Sequence, residues 1–131
     1  MPAEISKDPT LPVIFFTYKG GFELPGDIEK SLKEMVAFKR QVGGHVYRII
    51  NLLDIQLTFG DMVSAMGLER GREGGSEDPD VTTIFVIDSE ILKFGAQALR
   101  EQEQYGKGDV RATSSPEEAL AIVREDIKNR G

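Results

Sequence analysis

From His45 onward, apolar runs of strand character alternate with stretches of helical periodicity, and this alternation restricts the accessible folds more than any other feature. HVYRIINLL, TFGDMVSAMG, VTTIFVID, SEILKFGAQALREQ, DVRATS and SPEEALAIVREDI follow one another as β-α-β-α-β-α. Strands separated by helices need crossover connections, so they lie parallel and are covered by those helices. The expected fold class is α/β, a mainly parallel mixed sheet with helices packed against it.

The first half supplies a hairpin and one more helix. Ala3–Lys7 and Val13–Lys19 read as two antiparallel strands around the turn chemistry of DPTLP. Each proline there holds the preceding residue in extended geometry. Leu24-Pro25-Gly26-Asp27 opens a helix to about Val42, whose apolar face is Ile28, Leu32, Met35 and Val36 with the stem of Lys39. Gly43-Gly44 ends it. Val46–Leu53 is nearly continuous in apolar residues, as a strand covered on both faces requires.

Thr58 with Asp61 resembles a capping box, and Phe59, Met62, Val63 and Met66 mark the face of the helix it starts. ERGREGGSEDPD, Glu69 to Asp80, is expected to be a mobile surface loop because glycines, charges and a proline dominate it. Val81–Ile87 is the clearest strand. Asp88-Ser89 then caps a helix with Leu92, Ala96 and Leu99 on one face, closed by Gly106 and Gly108. After a short strand, Val110–Thr113, Ser115-Pro116-Glu117-Glu118 gives an N-cap serine, proline at N1 and glutamate at N3. Ala119, Leu120, Val123 and Ile127 of that last helix face the sheet. No linker divides the chain, so residues 1–131 are expected to form a single domain.

Charge and composition narrow the function. A net charge of -6 and a pI near 4.8 disfavour nucleic acid and anionic membrane surfaces as partners, since both select a basic face. The absence of cysteine excludes disulfides, thiolate metal sites and a cysteine nucleophile. The N-terminus has no basic start followed by an apolar stretch, and no apolar run approaches the roughly 20 residues of a bilayer span. These features lead to an expectation of a cytoplasmic protein without a metal or cofactor.

The order β-β-α-β-α-β-α-β-α resembles that of STAS domains, and of the SpoIIAA-like proteins in particular. The likeness covers nearly the whole chain. YRIINLLDIQLTFGDMVSAM resembles the family's central strand-turn-helix, and DSEILKFGAQA and TSSPEEALAIV its later strand-helix junctions. The resemblance implies a non-catalytic regulatory module that binds a protein partner, switched by phosphorylation of a Ser or Thr at the start of the helix after the central strand. A gapless match puts that position near Gly60, which has no hydroxyl, and the family's Asp-Ser pair is missing. Thr58 is the closest hydroxyl, with Ser64 already inside the helix.

A phosphate on Thr58 would meet unpaired helix N–H groups, although a plain N-cap also accounts for the residue. The carboxyl edge of the parallel strands is the usual ligand site of α/β proteins, and Asn51, Asp54, Asp88, Ser89, Ser114 and Ser115 are expected there. They could hold a small molecule or nucleotide, or serve only as caps and strand ends. Asp54 invites comparison with phospho-accepting receivers, but FFTYKGG lacks the acids that would hold their Mg²⁺. His45, the only histidine, has no sequence partner for metal binding or a nucleophile relay and reads as a strand-edge residue. Arg70-Gly71-Arg72 lacks the context of a P-loop, and Glu117-Glu118 serves a helix start. Phe94 and Tyr105 lie off their helix's apolar stripe, where a dimer contact or ordinary packing would place them.

The expected function is protein contact without catalysis, with a homodimer among the assemblies. The alternative is a ligand binder at the carboxyl edge.

Overall fold

β-Branched and aromatic residues dominate the central runs, and they build one five-stranded sheet in the computed structural model, which describes residues 3–20, 23, 26–55, 58–88, 90 and 109–131. Its strands are β1 (Ala3–Lys7), β2 (Val13–Lys19), β3 (Val46–Asp54), β4 (Val81–Val86) and β5 (Asp109–Thr113), side by side in chain order. β1 runs antiparallel to β2, with Ile5 opposite Phe16; all other neighbours are parallel. The mixed α/β sheet is as expected. The helix expected between β4 and β5, with Phe94 and Tyr105, lies outside the described residues, as do Leu24 and Pro25.

α1 (Gly26–Val42) and α2 (Phe59–Glu69) cover one face, and α3 (Pro116–Arg130) covers the other. Right-handed crossovers between strands added in one direction put their helices on the same side. Met35 and Phe38 of α1 pack on Ile14, Phe16, Ile50 and Phe85, with Val63 of α2 at the margin. Ala119 and Val123 of α3 pack on Val13, Tyr47, Ile49 and Ile84. Consecutive β3 residues therefore serve different cores. Gly43 closes α1 at φ 77°, a left-handed backbone that a side chain would strain.

The 70–80 segment departs from its expected solvated form. Gly74, Gly75, Ser76 and Asp78 are buried. The charges that suggested solvation have partners instead. Asp78 accepts from Lys39 Nζ (2.8 Å), the Gly74 amide (2.8 Å) and the Asp80 amide (2.9 Å). Burial pushes the Asp78 carboxyl up, but Lys39 and the two amides outweigh it and hold the group below the ordinary carboxylate range. Gly75 lies so close to α2 that a Cβ would come within 2.8 Å of the Glu69 carbonyl oxygen.

Candidate functional site

Two polar networks grow from adjacent residues of β3. On the α1/α2 side, Arg48 is fully buried. Its Nη1 and Nη2 donate to the two Glu69 carboxylate oxygens at 2.9 and 2.8 Å, and its Nε donates to Thr83 Oγ1 at 3.1 Å. Ser76 completes the site by donating its amide (3.1 Å) and hydroxyl (2.8 Å) to Glu69 Oε1. Glu69 is the last residue of α2, where a carboxylate faces the negative end of the helix dipole. Burial also raises its pKa, yet Arg48 and Ser76 prevail and keep it below its usual value. Among the described residues no buried side-chain polar atom lacks a partner. The network thus fixes the 70–80 segment to the sheet.

On the α3 side, Tyr47 donates its hydroxyl to Asp126 Oδ2 at 2.5 Å. Arg111 bridges Asp126 (3.0 Å) and Asp109 (2.9 Å), and Arg130 donates to Asp126 at 2.6 Å. Burial raises the Asp126 carboxyl, but the bonds from Tyr47, Arg130 and Arg111 outweigh it and draw the group down to about 2. Burial and the same carboxylate push the Tyr47 phenol up to about 12. Neither group exchanges a proton near neutral pH.

His45 joins this cluster at the amino edge of the sheet. Its Nε2 lies 2.8 Å from Thr82 Oγ1, which donates to Asp109 Oδ2 at 3.0 Å. With its one hydroxyl hydrogen given to Asp109, Thr82 accepts from His45 in the tautomer that carries its hydrogen on Nε2. A nucleophile relay needs the reverse, a histidine that accepts from the hydroxyl. Burial lowers the His45 pKa, which favours the neutral ring. The cluster serves to bind α3 to the sheet edge.

The residues expected at the carboxyl edge lie late in β3 or just after β4 and β5, which are neighbours in the sheet, with Thr58 at the start of α2. Thr58 is an exposed N-cap: its Oγ1 accepts from the Asp61 amide (3.0 Å), while Asp61 Oδ2 accepts from the Thr58 amide (3.1 Å). Asn51 Oδ1 accepts from the Leu53 amide at 3.0 Å, and Ser115 Oγ accepts from the Glu118 amide at 3.2 Å. Asp54, Asp88 and Ser114 are exposed near their strand ends, and Ser89 lies outside the described residues. The two networks of paired side chains lie at the opposite, amino edge. Arg48 carried a signal for this, since a charge inside a strand buried on both faces demands a partner. Tyr47 and Asp126 carried none, being 79 residues apart.

A separate concavity lies on the α1 side of the molecule. An open groove of about 1490 Å³ follows α1 from Gly26 to Arg40, with Gly71, Arg72 and Glu73 as its far wall. Val36 and Ala37 contribute apolar surface to it, and Lys19, Lys30, Lys33, Arg40 and Arg72 contribute positive charge. Glu23, Asp27, Glu29 and Glu73 also line it. Arg72 pairs with both oxygens of Glu29, Arg40 with Glu73 (3.4 Å), and Lys39 bridges Glu73, Asp78 and Asp80. The far wall is therefore stapled to α1 as well as anchored through Glu69.

Comparison of the chain with known protein families, curated proteins and solved structures returned no match. Among the described residues there is no cluster of metal-ligating side chains, and no helix is long and apolar enough to cross a membrane.

Proposed function

We propose that this chain is a SpoIIAA-like, STAS-like regulatory module that works by protein contact without catalysis, with α1 and the 70–80 segment as its recognition face. The element order supports the family. The groove is the observation that carries the function. It is open, has apolar surface between charged rims, and exceeds the roughly 300–1,000 Å³ usual for small-molecule pockets. One wall is a regular helix, and the other is held by a buried ion pair, so the surface is preorganised and costs little ordering entropy on binding. A second copy of the chain is one candidate partner. The ligand reading at the carboxyl edge has weaker support, because Asn51 and Ser115 are engaged with local backbone amides.

A photo-crosslinking residue tests the face directly. Placed at the exposed positions Glu34 or Ala37 of α1, and separately at Glu117 of α3, it reports which side meets a protein in the cells that make this chain. Protein adducts from the α1 positions, with none from Glu117, are expected. Adducts confined to Glu117, or none from either α1 position, would contradict the proposal.

A further inference from the structure

We infer that the groove recognises an acidic amphipathic helix with carboxylates seven residues apart and an apolar residue midway between them. This rests on the groove being the recognition face. Lys33 and Arg40 both line the groove, and seven residues of helix separate them by about 10.5 Å, two turns. Val36 and Ala37 lie between them and line the same groove. A helix lying alongside α1 repeats this spacing, so its carboxylates at i and i+7 meet Lys33 and Arg40 while its i+3 or i+4 side chain covers the apolar strip.

The sign of the partner's charge follows from which groups are already engaged. Glu29 is held by Arg72, Glu73 by Arg40 and Lys39, and Asp27 by the Glu23 amide. Lys33 has no ion-pair partner among the described residues. Arg40 makes one long bond, 3.4 Å, out of the five N–H donors a guanidinium offers. An incoming carboxylate finds donors with capacity remaining at Lys33 and Arg40, whereas Glu29, Glu73 and Asp27 are already engaged. In a chain of net charge -6, this groove is a place where cations outnumber carboxylates. Lys33 and Arg40, two turns apart on one rim, are the cations placed to meet an acidic helix.

The test uses three fluorescein-labelled helical peptides of about 18 residues, enough for five turns. They carry Leu midway and Glu, Gln or Lys at the two flanking positions. Anisotropy titrations against the full chain and against K33E/R40E, both sites being exposed, are paired with thermal melts to verify that the variant is folded. The Glu peptide should bind the native chain about tenfold more tightly than the Gln peptide, with salt weakening it. K33E/R40E should reverse the order and prefer the Lys peptide. Equal affinity for Glu and Gln peptides, an unchanged preference in the variant, or no binding by any peptide would overturn the inference. Protein adducts at Ala37 alongside such a result would leave the recognition face standing with a different partner chemistry.

Discussion

Tyr47 and Arg48 are neighbours on β3 that point to opposite faces, and each holds a helix carboxylate: Asp126 of α3 and Glu69 of α2, respectively. The two arrangements share a design but differ in solvent. The Arg48 and Glu69 side chains are 0% and 5% exposed, whereas Asp126, Arg111 and Arg130 are 12%, 26% and 44% exposed. Water screens the second network and can replace a lost partner; it reaches the first hardly at all. Similar hydrogen-bond geometry therefore has different energetic consequences on the two faces. The buried network fixes the groove wall, and the wetter one secures the final helix.

The largest effect should come from breaking the buried pair on one side only. Arg48→Met leaves Glu69 charged and unpaired under α2, so urea denaturation should show a loss of about 3–5 kcal/mol. Adding Glu69→Leu should recover most of that loss, because a matched apolar pair leaves no stranded charge. A double variant as unstable as the single one would mean that packing and the orphaned Ser76 donors, not the stranded charge, set the cost.

On the wetter face, Asp126→Asn should cost only about 1 kcal/mol at neutral pH, since Tyr47 and Arg111 can turn to water. The pH dependence has a definite sign. Asp126 has a folded-state pKa of about 2, below its ordinary 3.8, so its contribution is present above that ordinary value and is lost as pH falls toward the folded one. The stability gap between the native chain and Asp126→Asn should close across this acid window. A gap that persists below it would show that the carboxylate's charge is not what α3 depends on.

Much of the scaffold was legible in the sequence. Period-2 and continuous apolar runs marked the strands, and Thr58, Ser115-Pro116 and Gly43 marked helix ends through local chemistry that needs no tertiary knowledge. The 70–80 segment was not legible. Its glycines and charges give the composition of a solvated loop, while its structure depends on Arg48, Lys39 and Glu29, which lie 21 to 43 residues away in bonds to Glu69, Asp78 and Arg72. The same distance problem hid the Tyr47–Asp126 cluster, whereas the polar residues of the carboxyl edge are conspicuous in the sequence as caps. Local signals report elements, whereas long-range ion pairs decide which surface those elements build.

The 70–80 segment is a built wall held by the Arg48–Glu69 pair. Amide hydrogen exchange tests it most directly. Gly74, Gly75 and Ser76 donate their amides to Asp78 Oδ2, the Arg72 carbonyl and Glu69 Oε1. Exchange should be slow at these three positions and become fast selectively in Arg48→Met, while β5 and α3 keep their protection. Exchange in the native chain as fast as in a solvated loop would contradict that arrangement.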